Sequence, residues 1–279
     1  MSYKTILVHL DASERAPYRL EVALLLAKRF KAHLNAIYAL YKPEPVLLPA
    51  FPETAVFFES GRTLHIECRH SLKRLFHAGL ARLSLSGDWI EDSGHARHTV
   101  PMHGRLADLV VAGQYDSNDP ESFISKNFAE TLVVNTGRPI LFLPYSGVFQ
   151  DVGRHVLIGW NASQYATRSI HDAMPFLRHA RQVEIACVRG RGDPTPEIHG
   201  PGTDIGTTLA RNEVRATLRD IVEHVDRPIC DVLLSEAQRI GADLIAMGGY
   251  GHTRWRDVVL GGVTRDMLRA MPLPVLMSH

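Results

Sequence analysis

The chain has 279 residues, of which 45% are hydrophobic and 22% are charged, and its formal net charge is +1. This length predicts about two domains of ordinary size, and the near-neutral charge disfavours a nucleic-acid or membrane-surface partner. The three cysteines lie far apart, and the sequence shows no signal-peptide core and no run of about 18 apolar residues, so we expect reduced thiols and a cytoplasmic location.

The chain repeats itself. Residues 4–13 read KTILVHLDAS and residues 154–163 read RHVLIGWNAS, which is an offset of 150. Residues 107–113 read ADLVVAG and residues 242–248 read ADLIAMG, which is an offset of 135. Repetition over this length predicts two copies of one domain, with a longer middle segment in the first copy.

Each copy alternates predicted strands and helices, and the second copy shows the pattern clearly. Ser163 is predicted to cap its first helix, which runs to about Ala180, and Gly241 is predicted to end a later helix. Alternating polar and apolar residues at Val214, Ala216 and Leu218 predict a strand with one buried face. The other elements expected in this copy are strands at His155–Trp160, Val183–Val188, Ala242–Gly248 and Leu273–Met277, a loop at 189–203, and helices at 227–240 and Gly261–Ala270.

The alternation of apolar strands with helices predicts two tandem, doubly wound α/β domains. Each would hold a parallel sheet with helices on both faces. The short polar segment Ser146–Gly153 is the predicted linker, so the domains are expected at 1–147 and 153–279. In such sheets ligands bind beyond the carboxyl ends of the strands, where the strand order reverses.

A glycine-rich segment follows the fourth strand of the second copy. Gly248, Gly251, Gly261 and Gly262 stand in a G-x-x-G-x9-G-G spacing. Glycines let backbone N–H groups approach phosphate oxygens, and the start of a helix offers further N–H groups and a partial positive charge. The segment is neither the dinucleotide fingerprint nor the P-loop. A glycine-rich turn before an ordinary helix remains the alternative.

The ILVHLDAS and VLIGWNAS starts, the ADLIAMGGYGH loop and the VLGGVTRDML…PLPVLMSH ending resemble the universal stress protein family, in particular its tandem two-domain members. The resemblance implies five-stranded sheets of strand order 3-2-1-4-5. It also implies a site for ATP or another adenine nucleotide, with or without Mg²⁺. The ATP-binding members carry G-x2-G-x9-G-[ST] at this position.

The resemblance also implies roles for individual residues. Asn161 stands where the family has an aspartate that contacts the base or ribose, and Val188 stands where a backbone meets adenine. Gly262 replaces the Ser or Thr of the family pattern, and Thr264 is placed to compensate in part. The nucleotide-binding residues expected in the second domain are Asn161, Val188, Gly248, Gly251, Gly261, Gly262, Val263 and Thr264.

The first copy has lost the glycine pattern. At the offset of 135, Gly251 corresponds to Asp116, Gly261 to Lys126 and Gly262 to Asn127, whereas Gly113 and Asp11 are kept. A carboxylate repels phosphate, so we expect a degenerate nucleotide site in this copy. The two domains of one chain are expected to pair as single-domain relatives pair in a dimer, and the chain is expected to form a homo-oligomer.

Other groups of residues are weaker candidates. His95, His98 and His103 lack a completing ligand set for a metal, and Ser163, His171 and Asp172 lack a nucleophile elbow. The predicted function is therefore a cytoplasmic stress-response module that binds an adenine nucleotide in its second domain. A dimeric scaffold without nucleotide and a weak ATPase are the alternatives.

Overall fold

The computed structural model describes residues 2–39, 52–92, 94–116, 127–189, 203–222, 227–249 and 262–279. The chain forms two compact units. The first comprises Tyr3–Thr136, and the second comprises Gly137–His279 with the first two residues.

The first unit is an α/β unit whose strands are parallel and run in the order β3-β2-β1-β4. Its central strand reads TILVHL and is buried from Ile6 onward, as expected for a strand covered on both faces. Its elements are β1 (Thr5–Leu10), α1 (Ala16–Phe30), β2 (His33–Ala39), α2 (Pro52–Leu83), β3 (Gly87–Asp92), α3 (Ala96–Gly104), β4 (Leu109–Gly113) and α4 (Phe128–Thr136).

The second unit repeats this order. Its strands run β8-β7-β6-β9-β10 in parallel, which is the predicted order 3-2-1-4-5, and β5 adds to β10 in antiparallel fashion. Its elements are β5 (Ile140–Leu143), β6 (His155–Gly159), α5 (Gln164–Leu177), β7 (Gln182–Arg189), α6 (Thr203–Arg211), β8 (Thr217–Val222), α7 (Ile229–Ile240), β9 (Leu244–Gly248), α8 (Gly262–Ala270) and β10 (Val275–Ser278). The predicted doubly wound fold class is confirmed.

The two copies keep the same strand register. Ile6 pairs with Leu109 in the first unit, and Val156 pairs with Leu244 in the second, so both sequence offsets hold in the structure. Asp108 and Asp243 also occupy equivalent places, where each carboxylate accepts hydrogen bonds from main-chain N–H groups before the first strand of its copy. Equivalent positions of the two copies can therefore be compared residue by residue.

The predicted ends of two helices are confirmed. The hydroxyl of Ser163 accepts a hydrogen bond from the N–H of Ala166 at 3.2 Å and caps α5. Gly241 ends α7 with a φ of 62°, in the left-handed region that favours glycine.

The strand predicted from Val214, Ala216 and Leu218 is displaced, because β8 begins only at Thr217. Val214 instead closes the end of α6, where its N–H donates to the carbonyl of Leu209 at 3.0 Å. The alternation that resembled a strand is thus partly a helix terminus, and the side chains of β8 are mostly exposed.

The predicted domain boundaries, 1–147 and 153–279, stay predictions. The compact units divide earlier, between Thr136 and Gly137, because β5 pairs with β10. Among the described residues, no helix combines the length and the apolar character that a membrane span requires.

Candidate functional site

A cavity of about 220 Å³ opens at the carboxyl ends of β6 and β9, two neighbouring parallel strands of the second unit. This is the edge at which doubly wound sheets bind ligands. The described residues that line the cavity are Gly159, Trp160, Asn161, Ser163, Tyr165, Ala186, Val188, Ile229, Leu233, Met247, Gly248, Gly262, Val263 and Thr264.

The turn after β6 forms one rim of the cavity. The side-chain oxygen of Asn161 accepts a hydrogen bond from the N–H of Ser163 at 3.2 Å, and Ala162 between them has a φ of 58°. This Asx turn leads directly into the capped start of α5. Because the bond uses only the oxygen of Asn161, the turn itself does not require the side-chain amide group to donate.

Gly248, at the end of β9, lies against the first turn of α5. A Cβ atom at this position would stand 2.6 Å from the main-chain carbon of Tyr165 and 2.7 Å from the N–H nitrogen of Ala166. Two backbones thus meet at a distance that only glycine permits. Gly248 is explained by this packing, in addition to the phosphate approach that the sequence suggested.

The start of α8 forms the polar end of the cavity. Gly262, Val263 and Thr264 occupy its first turn, where N–H groups have no acceptor within the helix. Together with the helix dipole, these groups favour an anion. Among the described residues, a Cβ atom at Gly262 would meet only the carboxylate of Asp266, at 3.8 Å, so these residues leave room for a side chain.

Another part of the cavity lining is apolar. Ala186 and Val188 come from β7, Ile229 and Leu233 come from α7, and Met247 comes from β9. This wall offers van der Waals contact to a flat, weakly polar group such as a nucleobase.

Tyr165 connects the cavity to His279. The two rings stack with their centroids 4.7 Å apart, and the imidazole Nδ1 of His279 lies 3.2 Å from the carbonyl oxygen of Gly249. Because a carbonyl only accepts, this contact is a hydrogen bond when Nδ1 carries the proton. The contact fixes the backbone where the glycine segment begins.

Residues 154–279 match the model of the universal stress protein family. This segment, 126 of the 279 residues, is therefore similar to universal stress proteins. The match covers both rims of the cavity, and the resemblance seen in the sequence is confirmed. No curated protein sequence matches the chain.

Solved structures match the chain over its whole length. A universal stress protein from Archaeoglobus fulgidus DSM 4304 has a TM-score of 0.71 at 15% identity and covers 98% of this chain and 97% of its own. A functionally unknown protein from Pseudomonas aeruginosa PAO1 has a TM-score of 0.59 at 12% identity and covers 99% and 92%. These likenesses show a shared fold.

The structure brings together six of the eight predicted site residues of the second unit: Asn161, Val188, Gly248, Gly262, Val263 and Thr264. Gly251 and Gly261 lie outside the described residues. Sequence reasoning did not single out Trp160, Tyr165 or the apolar residues of α7. Trp160 and Tyr165 follow the end of β6, so the strand-end rule could have found them.

The equivalent place in the first unit is occupied by side chains. The guanidinium of Arg19 binds the carboxylate of Asp11 at 2.8 Å and also donates to the hydroxyl of Ser13 at 3.1 Å. The ring of His9 packs against that of Phe128 with centroids 4.7 Å apart. Asp11 and Arg19 are only 16% and 4% exposed, so this ion pair is largely withdrawn from water.

Burial is the largest single influence on the pKa values of His9 and Asp11. Burial lowers the pKa of His9 to about 4, with Asp11 opposing the shift and Arg19 adding to it. Burial alone would raise the pKa of Asp11, but Arg19, His9 and the hydroxyl of Ser13 bring it down to about 2. At neutral pH the His9 ring is therefore neutral, and Asp11 is ionised.

The metal and triad candidates are not assembled. The three candidate histidines do not direct their ring nitrogens at a common point. Nε2 of His103 lies 3.2 Å from a carboxylate oxygen of Asp92, and the rings of His95 and His98 lie edge to face with their centroids 6.5 Å apart. Across the described ranges no group of three or more His, Cys, Asp or Glu side chains is placed to hold a metal. Ser163 is engaged as the cap of α5.

Proposed function

We propose that the second unit is a universal stress protein domain that binds an adenine nucleotide and that occupancy of its cavity regulates an interaction in a cytoplasmic stress response. The observation that carries this proposal is the cavity itself. An apolar wall and the N-terminus of α8 face the same space at the carboxyl edge of the sheet.

Two parts of the cavity lining give the ligand one orientation. The base packs between Val188, Ile229 and Leu233, because these side chains form the apolar wall. The phosphate binds at Gly262 and Val263, because the first turn of a helix offers N–H groups and a partial positive charge to an anion. Asn161 also lines the cavity, and we expect its side-chain amide to bind the ribose hydroxyls.

The phosphate end favours a small number of charges. Gly262 brings no hydroxyl, and the carboxylate of Asp266 lies close to this position. Each further phosphate adds negative charge that must be matched by donors. Because Gly262 stands where the family pattern has Ser or Thr, we expect the missing hydroxyl to weaken the binding of AMP and ADP less than the binding of ATP.

A binding module is favoured over a weak ATPase. The described lining of the cavity contains no carboxylate, histidine or cysteine that could act as a base or nucleophile. The nearby thiol of Cys230 is buried, and burial together with Asp231 and Asp266 raises its pKa to about 11. A homodimer, and a scaffold that binds no nucleotide, stay predictions.

The direct test is calorimetric titration of the full chain with AMP, ADP and ATP, after native mass spectrometry of the purified protein. We expect saturable binding of at least one nucleotide. Val188→Asp should weaken it by about tenfold or more, because the substitution places a charge against the base. Val148→Asp is the matched control, since Val148 is 72% exposed and does not line the cavity. No saturable binding up to millimolar nucleotide would reject the proposal.

Gly262→Ser tests the orientation. The described residues leave room for a Cβ atom at this position, so the fold should be kept, and the new hydroxyl can donate to a phosphate. A hydrogen bond to a charged group contributes roughly 1.5–3 kcal/mol, which corresponds to about tenfold tighter binding or more. The gain should be larger for ATP than for adenosine, which has no phosphate. An equal gain for both would place the phosphates elsewhere.

A further inference from the structure

The first unit holds a place that is equivalent to the cavity of the second. The registers of β1 with β4 and of β6 with β9 are the same at offsets of 150 and 135, so the carboxyl ends of the two strand pairs correspond. At these offsets His9 corresponds to Gly159, and Phe128 corresponds to Val263. Both residues of the second unit line the cavity.

A side chain at the place of Gly159 grows into the cavity. A Cβ atom there would lie 3.4 Å from the Cβ of Met247 and 3.5 Å from a methyl group of Leu233, and both residues belong to the cavity wall. In the first unit the equivalent side chain is His9, which is 1% exposed and packs against the Phe128 ring. The two rings together fill space that Gly159 and Val263 leave open.

Neither ring nitrogen of His9 has a hydrogen-bond partner among the described residues. A buried, unpaired polar atom costs about 1–3 kcal/mol, so hydrogen bonding does not explain the presence of His9 here. Its volume and its packing against Phe128 do explain it.

The charged residues differ between the copies as a pair. Asp11 corresponds to Asn161, and Arg19 corresponds to Ser169. In the first unit the Arg19 guanidinium bridges both oxygens of Asp11, at 2.8 and 3.3 Å, and presses against Gly113, the equivalent of Gly248. An Arg without the carboxylate, or the carboxylate without the Arg, would leave a poorly compensated charge.

Arg19 thus engages the carboxylate at the equivalent of Asn161, the residue proposed above to bind the ribose. The Ser169 hydroxyl, by contrast, is buried and donates to the carbonyl of Ala166 at 2.9 Å, within its own helix. The second unit therefore brings no side chain from this position to Asn161. The first unit places a guanidinium at the equivalent of Asn161.

We propose that, in the first unit, the place of the second unit's cavity is filled by the protein's own side chains, with His9 and Phe128 in the space that Gly159 and Val263 leave open and Arg19 bound to Asp11, the equivalent of Asn161. This unit then excludes nucleosides and nucleotides irrespective of its missing glycines, and only the second unit takes ligand. The inference rests on the proposed function for the identity of the excluded ligand.

Opening the pocket tests the proposal. In the full chain, His9→Gly, Arg19→Ser and Phe128→Val convert the three filling residues to their second-unit equivalents and leave Asp11 unpaired. Adenosine is the probe, because the first copy lacks the phosphate glycines. Equilibrium dialysis should find a second adenosine bound per chain compared with the wild type. A folded triple variant that binds no more adenosine than the wild type overturns the proposal.

Two further variants cover other outcomes. If the triple variant does not fold, the double variant His9→Gly with Phe128→Val replaces it, because it keeps the ion pair of Arg19 and Asp11. The amount of adenosine bound per chain is then compared with the wild type in the same way. In the second unit Gly159→His with Val263→Phe should weaken adenosine binding by about tenfold or more, and unchanged affinity would contradict the filling argument. If the wild type binds no adenine nucleotide in the calorimetric titration but an opened first unit binds adenosine, the proposed function fails and the filling of the first pocket stands.

Discussion

The His9 ring offers a quantitative test of the filled pocket, because its burial couples the stability of the first unit to pH. Burial holds the pKa of His9 at about 4, compared with 6.5 for an ordinary histidine. The unfolded chain therefore binds more protons than the folded chain between these values. The contribution of neutral, buried His9 to the free energy of unfolding is therefore full above pH 6.5, and it is lost as the pH falls toward 4.

The size of the effect follows from the shift. The difference corresponds to about 3 kcal/mol when the pH falls through the whole interval, and to about 2 kcal/mol between pH 7 and pH 5. His9→Phe keeps an aromatic ring against Phe128 and removes the titrating group. It also removes two buried nitrogens that lack partners among the described residues, so we expect this variant to be at least as stable as the wild type at pH 5.

Native-state hydrogen exchange is the suitable assay, because it reports the opening of the first unit separately from the second. Amides of β1 and β2 are followed by mass spectrometry at pH 7 and pH 5, with correction for intrinsic exchange rates. The wild type should lose about 2 kcal/mol more of opening free energy than His9→Phe. His98→Phe, at an exposed position of α3, is the control. Equal losses in the wild type and His9→Phe would refute the reasoning.

Two further predictions concern the second unit. Gly248→Ala should destabilise it by roughly 1–3 kcal/mol in urea denaturation, because the new Cβ meets the main chain of Tyr165. Gly113→Ala should cost the first unit less, because the nearest atoms to its new Cβ belong to the side chain of Arg19. Equal losses would contradict the packing explanation. Ser163→Ala should lower the unfolding free energy by about 1 kcal/mol through loss of the α5 cap, and a thermal melt that is unchanged would argue that the cap contributes nothing.

Much of the fold was predictable because periodicity and repetition report it directly. The offsets of 150 and 135 gave two copies, and the apolar runs gave the parallel strands. The error at Val214 has a simple origin. A helix that ends in a reversed turn buries one residue and exposes the next, which resembles the alternation of a strand over a short window.

The site was predictable in part, because phosphate-binding glycines leave a sequence pattern and cavity walls do not. Gly262 was predicted from the glycine spacing, and Val263 and Thr264 were predicted from the family resemblance. Ile229 and Leu233 lie on a helix whose apolar face serves both the core and the cavity, so their second role depends on the position of α7 over β6 and β7. The substitution of Gly159 by His9 was visible at the known offset, but its direction into the pocket required the fold.

The comparison of the two copies also changes the meaning of the lost glycines. A copy that had only lost its glycine loop would keep an open cavity, and its Asp11 would accept hydrogen bonds from Ser13 but would lack a cationic partner. The first unit instead carries Arg19 on the facing helix and the packed rings of His9 and Phe128 at the places of Gly159 and Val263. These residues depend on one another in pairs, because the charge of Arg19 is balanced by Asp11 and the ring of His9 packs against that of Phe128. The first unit is therefore better explained as a pocket closed by substitution of its own side chains than as a binding site that has decayed.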